Sequence, residues 1–400
     1  MNRRGFLKLA GALPAAGLLP DLAWAAEPKT KNKTEASKKI VTSSKRQKAV
    51  VLIKLAGGND GLNTLVPQRD YSLYAKNRSA TLIPKHKLNE FPLDNGMSVN
   101  PYMTSLRRWW EQGDLAWIQG VGYPHGVLSH FRSSDIWETA TSAFEHSEIG
   151  WLTQVLPQYK QGLHGVVLGE GLLGPMAGKD CHTIAMQSPQ VFLSQVGLVE
   201  DIQPINHGSA ALKHVVNIQH QLHNAGQQLK EKLASPVRLP GFSTSVLGRK
   251  LESVAQMILS NVDTAVYKLE HSGYDTHANQ LNVHNNLLFE LAAALNSFGD
   301  AMKQHGRWDD VLVITYSEFG RRVQENRGGG TDHGTASVQL VMGGRVSGGR
   351  VYGENPRLND LDGDGNLHMT TDFRAVYGTL ATRWFGVNNP WSQFGSVGFV

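Results

Sequence analysis

The 400-residue sequence predicts an α/β fold, in which helices cover both faces of a mostly parallel central sheet and form a three-layer sandwich. Two observations predict it. Apolar runs of five to seven residues recur along the chain, and amphipathic helical patterns lie between them. Alternating strands and helices are typical of open α/β sheets. Continuous apolar runs are typical of strands that are buried on both faces.

The predicted strands all border glycine-bearing or polar loops. The first strand, Ala49–Leu55, begins the folded part of the chain and ends before the segment Gly57-Gly58-Asn59-Asp60-Gly61. Four further runs predict strands at Leu115–Gln119, Ala265–Leu269, Val311–Tyr316 and Ser337–Met342. The last of these is entered from a polar loop, whereas the others run into one.

Two helical patterns are the clearest. Leu281–Lys303 has apolar residues at spacings of three and four, which predicts a helix with one face packed on the sheet. Leu212–Leu233 repeats the pattern more weakly and is rich in polar residues. We expect it to be a surface or lid helix within a helical insertion at about residues 155–260. The remaining body, residues 49–400, is expected to be one domain.

The first 25 residues predict a twin-arginine signal peptide. Arg3-Arg4 precedes Phe6 and Lys8, an apolar stretch spans Leu9–Leu19, and Ala23-Trp24-Ala25 matches a cleavage site. The alternatives are a general secretory signal or an uncleaved anchor. We expect export through the twin-arginine machinery to the periplasm or beyond, and no membrane span after cleavage.

The basic character of the chain belongs to its N-terminus. Residues 1–25 carry a net charge of +2 and residues 26–48 carry +6, so residues 49–400 carry −3 of the formal total of +5. A mildly acidic body argues against nucleic acid as a partner. Residues 26–48 are polar and lysine-rich and predict a flexible linker. Attraction of this segment to anionic lipid or cell-wall polymer is the alternative.

Candidate site residues collect in the loops beside the strands, where open α/β sheets bind ligands. Asp60 follows the first strand, in a segment that is also compatible with a plain turn. Ser129 and Arg132 lie in a loop that leads into a helix, where a serine is either a nucleophile or an N-cap. Asp275 and His277 are two residues apart and suit a metal that prefers oxygen and nitrogen ligands. Asp275 as a helix cap is the alternative.

Two more acidic elements follow. Glu318 comes directly after a buried strand, where a carboxylate requires a metal or a partner such as Arg321. Asp332 and His333 lie after three glycines and before the last predicted strand. Acidic and histidine residues beside several strands predict a metal site.

The motifs GGNDGLNTLVP, SHF, YDTHANQ, SEFGRR and GGTDHG, in this order, resemble the exported bacterial family called domain of unknown function 1501. That family is grouped with the alkaline phosphatase and sulfatase superfamily. The resemblance therefore implies an alkaline-phosphatase-like sandwich with one or two divalent metal ions, usually zinc. It also implies hydrolysis of small anionic phosphate or sulfate esters.

The resemblance also implies roles for single residues. Asp275, His277 and His333 resemble the ligands of a first metal, Asp60 resembles a ligand of a second, and Ser129 lies where the nucleophile would. Phe319 departs from the superfamily, which places a histidine ligand after the acidic residue at this point. The expectation is therefore a single metal, or a site in which Glu318 and Asp332 serve as ligands.

Arg132 or Arg321 would hold the ester oxygens in this hypothesis. The competing hypothesis is a non-catalytic exported protein with a degenerate metal site, which binds an envelope polymer or another envelope protein.

Overall fold

The computed structural model describes residues 47–158, 163–169, 171–197, 203–205 and 207–400. The predicted leader, residues 1–25, and almost all of the predicted linker lie outside the described residues. None of the helices in the described part of the chain has both the length and the apolar character needed to span a lipid bilayer.

The described residues form a central sheet of nine strands flanked by helices. The strands of the chain are β1 (Ala49–Ala56), β2 (Leu65–Val66), β3 (Ser98–Val99), β4 (Leu115–Gly122), β5 (Leu163–Leu168), β6 (Thr183–Met186), β7 (Thr264–Ser272), β8 (Val311–Tyr316), β9 (Gly320–Glu325), β10 (Thr331–Gly334), β11 (Ser337–Met342), β12 (Arg350–Tyr352) and β13 (Thr371–Asp372). The α-helices are α1 (Gly61–Thr64), α2 (Tyr71–Asn77), α3 (Arg107–Glu111), α4 (His130–Thr139), α5 (Pro189–Val196), α6 (Ala210–Lys232), α7 (Val246–Leu259), α8 (Gln280–Gln304) and α9 (Phe373–Thr379).

The order of strands in the central sheet is β12-β4-β11-β8-β1-β7-β5-β6, with β13 also paired to β4. All of its pairings are parallel except those of β11, which runs antiparallel to both β4 and β8. The prediction of a mostly parallel central sheet is therefore confirmed. Because only β11 is reversed, the carboxyl ends of β1, β4, β7 and β8 and the start of β11 lie at one edge.

Successive residues of β1 face opposite layers, as its uninterrupted apolar sequence predicts. Val51 and Ile53 pack in the core that includes the apolar faces of α7 and α8. Val50 and Leu52 pack in a second core, with residues of α4 and α9. Two cores on the two faces of one sheet make the three predicted layers.

The middle of the chain differs from the prediction of a helical insertion. Residues 155–260 contain α5, α6 and α7, but they also contribute β5 and β6 to the central sheet. β5 begins Leu163-His164-Gly165 and is shorter than β1, so its apolar run, Val166–Leu168, is too brief to predict a strand. This segment is thus part of the sheet rather than an appended helical unit.

One buried histidine links α8 to the loop after β1. The Nε2 atom of His284 lies 3.0 Å from Oδ1 of Asn59, and burial lowers the pKa of His284 from its usual 6.5 to about 4. The unfolded chain therefore gains a proton near pH 6.5, whereas the folded chain stays neutral down to about pH 4. The free energy of unfolding therefore has its full value above pH 6.5 and decreases as the pH falls toward 4.

We therefore expect His284→Gln to flatten the acid limb of the stability curve. The pKa difference corresponds to at most about 3 kcal/mol between neutral pH and pH ~4. Urea unfolding at about pH 7 and about pH 4.5 gives the fall in the free energy of unfolding for each protein. The fall should be larger in the wild type than in His284→Gln. Equal losses in the wild type and the variant would contradict it.

Candidate metal centre

Loops from five neighbouring strands meet at one edge of the sheet. The strands β4, β11, β8, β1 and β7 are adjacent in that order, and every candidate site residue lies in a loop, short strand or helix that directly adjoins one of them. The loop after β1 approaches the loop after β7 closely. Gly57 has φ +121°, and a Cβ atom there would lie 2.2 Å from the backbone nitrogen of Asp275. Only glycine permits this approach.

Asp275 lies at the centre of the site. Its Oδ1 atom is 3.0 Å from Nε2 of His277 and 3.1 Å from Nε2 of His333, and its Oδ2 atom is 3.4 Å from Nε2 of His130. Burial alone would raise the pKa of Asp275, but hydrogen bonds from Arg321 and His333 outweigh it and lower the pKa to about 2. The carboxylate is therefore ionised at neutral pH.

The second nitrogen of each of these three histidines is held by an acceptor. Nδ1 of His277 lies 3.4 Å from Oδ1 of Asp332, and Nδ1 of His130 lies 3.1 Å from Oε1 of Glu318. Nδ1 of His333 lies 2.9 Å from a backbone oxygen, that of Leu128. A proton on each Nδ1 satisfies these acceptors. Each Nε2 then faces the carboxylate of Asp275, to which it donates when it is also protonated and beside which it can ligate a cation when it is not.

Such an arrangement requires positive charge between the four side chains. The Nε2 atoms of His277 and His333 are only 3.0 Å apart, and both are close to the same carboxylate oxygen. Lone pairs at this separation repel one another unless protons or a cation lie between them. Ligand atoms of His130, Asp275 and His333 all lie within 4.8 Å of one another, as metal ligands do. The donor set fits a divalent metal ion.

Arg321 fixes the loops that carry this cluster. Its side chain is fully buried, and its guanidinium donates to Oδ1 of Asp275 at 2.7 Å. Its other acceptors are backbone oxygens, those of Gly57, Gly58, Tyr274 and Thr331. Each of its three nitrogens donates to at least one of these groups, so the predicted role of holding ester oxygens does not fit. Arg321 orients Asp275 instead.

Glu318 and Asp332 support histidines. Glu318 is 3% exposed, and its Oε1 atom accepts from His130 and from the backbone nitrogen of Gly57 at 2.8 Å. Its Oε2 atom is buried and has no hydrogen-bond partner among the described residues. Asp332 accepts from Asn326 at 3.1 Å besides its contact with His277. Both carboxylates thus lie behind a histidine ring in this structure, in the position of outer-shell partners.

Phe319 stands at the position where the resemblance led us to expect a histidine ligand. Its ring centroid lies 4.2 Å from that of His333 and 4.9 Å from that of His130. It therefore limits the rotation of both rings and brings no ligand atom to the centre.

Asp60 is not part of the cluster. Its buried carboxylate forms an ion pair with Arg78, accepts from Gln280, and caps α1 by accepting from the backbone nitrogens of Leu62 and Asn63. Burial would raise the pKa of Asp60, but Arg78 lowers it below its usual value. These contacts occupy both carboxylate oxygens, which is a structural reason against the predicted role as a ligand of a second metal.

The loop after β4 places Ser129 and Arg132 differently. Ser129 precedes α4, is exposed, and makes no side-chain cap hydrogen bond, so its hydroxyl is not used as an N-cap. Arg132 donates through one nitrogen to three backbone oxygens, those of Ser142, Ala143 and Glu145. Arg132 therefore ties a loop to α4 through this nitrogen. Its Nη1 atom has no hydrogen-bond partner among the described residues, so contact with ester oxygens stays a prediction.

His130 is the site residue that sequence reasoning missed. It lies between Ser129 and Phe131 in the SHF motif, in a loop so rich in polar residues that no single side chain stood out. The signal that could have found it is Glu318, a buried carboxylate that needed a partner. The sequence predicted Arg321 for that role, and the structure gives it to His130.

Replacing Arg321 tests whether its hydrogen bonds hold the loops of the site together. Arg321→Lys keeps the positive charge, but one ammonium group cannot reach the five acceptors that the three guanidinium nitrogens contact. We expect a loss of at least about 2 kcal/mol in the free energy of unfolding, because buried carbonyl oxygens lose their donors. Arg322→Lys, on the same strand, is the matched control and should change stability by less than about 0.5 kcal/mol. Similar losses in the two variants, by urea unfolding, would contradict this assignment.

No curated protein sequence matches this chain. Among solved structures, a protein in the alkaline phosphatase superfamily from Vibrio parahaemolyticus is similar at 12% identity and TM-score 0.41, over 88% of this chain and 69% of the other. A phosphonate monoester hydrolase from Silicibacter pomeroyi is similar at 11% identity and TM-score 0.39, over 88% and 75%. The zinc complex of a C-terminal periplasmic domain from Escherichia coli is similar at 8% identity and TM-score 0.37, over 90% and 85%.

The comparison with protein families gives a match in the second half of the chain. The family described as "Protein of unknown function (DUF1501)" matches residues 248–393. This range contains Asp275, His277, Glu318 and His333, and it begins after the loop that carries His130. The match agrees with the resemblance that the motifs YDTHANQ, SEFGRR and GGTDHG carry, and it does not extend to the motifs before residue 248.

Proposed function

We propose that the body of this protein is a metal-dependent hydrolase of phosphate or sulfate esters, with one divalent metal ion held by Asp275, His277, His333 and His130. One observation carries the proposal: three histidines turn Nε2 toward one ionised carboxylate, while an acceptor holds each Nδ1. This is the outer-shell arrangement that orients histidine ligands.

The donor set and the spacing favour zinc. Three imidazole nitrogens and one carboxylate oxygen are ligands that zinc accepts in a tetrahedral site. Metal–ligand distances of about 2.0–2.1 Å place tetrahedral ligand atoms roughly 3.3 Å apart. The distances from Nε2 of the histidines to the oxygens of Asp275, 3.0–3.4 Å, are close to that value. The ligand atoms of His130, Asp275 and His333 all lie within 4.8 Å of one another, a group that does not include His277.

A single ion is better supported than two. Asp60 is committed to Arg78 and Gln280, Phe319 has no ligand atom, and Glu318 and Asp332 each hold a histidine. None of the residues expected at a second metal therefore offers a free ligand pair. Oε2 of Glu318 is the exception, because it is buried and has no hydrogen-bond partner among the described residues.

The chain provides access and a candidate nucleophile. Side chains of the cluster are partly exposed, with 46% for Asp275 and 35% for His130, so an ester can reach the centre from solvent. The Ser129 hydroxyl is exposed at the N-terminus of the ten-residue helix α4, where backbone N–H groups favour negative charge. A bound divalent cation would polarise the ester and stabilise the charge that develops on its oxygens.

The predicted leader supports a location outside the cytoplasm for this activity. The twin-arginine pattern of residues 1–25 predicts export of a folded protein, and folding before export suits a site that is loaded with metal in the cytoplasm. We propose that the protein acts in the periplasm or is secreted.

The second candidate function is binding without catalysis. It is favoured by the contacts of Arg321, whose three nitrogens all donate to backbone oxygens or to Asp275, so that this guanidinium is not free to hold a substrate oxyanion. In that case the metal stabilises the fold, and the exposed site binds an anionic envelope polymer. The activity test below separates the two.

The metal content of purified variants tests the centre itself. We expect His130→Ala and His277→Ala to lose the bound metal, and Glu318→Gln and Asp332→Asn to weaken zinc affinity about 10–100-fold. His125→Ala is the matched control: His125 is exposed in the same loop as His130, and its ring lies against Phe144. Elemental analysis and zinc titration give both quantities. A metal-free wild type, or equal zinc affinity in all variants, would overturn the proposed centre.

Hydrolysis is tested separately, on zinc-loaded protein without residues 1–25. We expect turnover of p-nitrophenyl phosphate, its bis-ester or p-nitrophenyl sulfate, and a fall of at least about 10³-fold in Ser129→Ala with zinc content unchanged. Ser134→Ala, five residues further along the chain and within α4, is the control. Zinc-loaded protein that is inactive on all three esters would favour the binding function, and unchanged activity in Ser129→Ala would assign the attack to water.

A further inference from the structure

Tyr274, the residue before Asp275, is held by its side chain as well as by its backbone. Gly273, which follows β7, has φ +109°, and this conformation lets the chain turn at the end of the strand. The hydroxyl of Tyr274 lies 3.1 Å from Nδ1 of His271, three residues earlier. The backbone nitrogen of Tyr274 donates to the oxygen of Ala56, at the end of β1, at 3.0 Å. Tyr274 is therefore tied to both strands.

Both side chains of this hydrogen bond are buried. Tyr274 is 0% exposed and His271 is 6% exposed. The ring of Tyr274 packs in the core that includes the apolar faces of α7 and α8, and it stands edge-on to the ring of His284 at 5.9 Å. A buried phenol that loses its partner costs free energy, so the hydrogen bond restricts Tyr274 to one position.

Glu290 on α8 fixes which nitrogen of His271 carries the proton. Its Oε2 atom lies 3.5 Å from Nε2 of His271. Burial is the largest influence on His271 and lowers its pKa below the usual 6.5, so the ring is neutral at pH 7. Because a carboxylate only accepts, the single proton of the ring lies on Nε2, toward Glu290. Nδ1 therefore accepts, and the hydroxyl of Tyr274 is the donor.

The position of Tyr274 sets that of Asp275 because two tight turns follow. The backbone nitrogen of Thr276 donates to the oxygen of Tyr274 at 2.9 Å, and that of His277 donates to the oxygen of Asp275 at 3.3 Å. Arg321 donates to the same oxygen of Tyr274 and to Oδ1 of Asp275. Hydrogen bonds between residues two apart leave the backbone little freedom. A shift of Tyr274 therefore displaces Asp275 and His277 together.

We propose that Tyr274 and His271 are positioning residues of the metal centre, because their hydrogen bond sets where Asp275 and His277 meet the other ligands. The proposal rests on the proposed metal centre, but it concerns two side chains that face the core and touch neither metal nor ester. Metal affinity depends on ligands being held within about 0.5 Å of their working positions. Loss of an outer partner of a ligand commonly weakens metal binding about 10–100-fold.

The zinc affinity of Tyr274→Phe tests this proposal. The substitution removes only the hydroxyl, and we expect zinc binding to weaken about tenfold or more. Tyr316→Phe is the matched control, because the hydroxyl of Tyr316 is buried and has no hydrogen-bond partner among the described residues, so zinc affinity should stay unchanged. Competition with a chromophoric chelator measures the affinity of the folded protein. A residue that only stabilised the fold would lower the free energy of unfolding and leave this affinity unchanged.

Two replacements of His271 separate the hydrogen bond from the packing of the ring. Asparagine places an acceptor oxygen close to the position of Nδ1, so His271→Asn should retain most of the zinc affinity. His271→Leu removes the acceptor and should weaken zinc binding as much as Tyr274→Phe does. The double variant of Tyr274→Phe with His271→Leu should bind zinc no more weakly than either single variant, since both remove the same hydrogen bond.

The outcomes separate this proposal from the metal centre itself. A wild type that binds no zinc would overturn the centre and the positioning role together. A wild type that binds zinc with the same affinity as Tyr274→Phe would overturn the positioning role alone. Equal losses in His271→Asn and His271→Leu, or losses that add in the double variant, would also overturn it. If Tyr274→Phe does not fold, the two His271 variants decide.

Discussion

The buried guanidinium of Arg321 is the interaction on which the arrangement of the site depends. A fully buried charge is tolerated only when its donors are paired, and this one binds four backbone oxygens from three segments as well as the carboxylate of Asp275. It joins the loops after β1 and β7 to the start of β10. The positions of Asp275 and His333 are thereby set by the same group.

The four carboxylates of these loops have three different roles, and the partners of each carboxylate determine its role. Asp60 pairs with Arg78 and organises the first loop, Asp275 receives the three Nε2 atoms, and Glu318 and Asp332 each hold an Nδ1 atom. All four residues are aspartate or glutamate. Solvation, hydrogen-bond partners and the nearest positive group decide which carboxylate is left with lone pairs at the centre.

Much of the fold could be predicted from the sequence. The five apolar runs are strands of the central sheet with nearly the predicted bounds, and the helix predicted at Leu281–Lys303 is α8, Gln280–Gln304. These elements are buried on both faces or along one full stripe, so burial leaves a strong pattern in the residues themselves. β5 and β6 escaped prediction because their apolar runs are short and the chain around them is rich in glycine and polar residues.

Strand direction and loop position follow from the pattern of apolar runs, so the sequence alone predicts acidic and histidine residues at one edge of a mostly parallel sheet. Which of these residues meet is visible only in the folded chain. His130 joined Asp275, while Arg321 and Asp60 were committed to other partners. The physical reason is that each contact joins residues from distant parts of the chain, and which nitrogen or oxygen faces the centre depends on the acceptor or donor behind it. No local pattern records that choice.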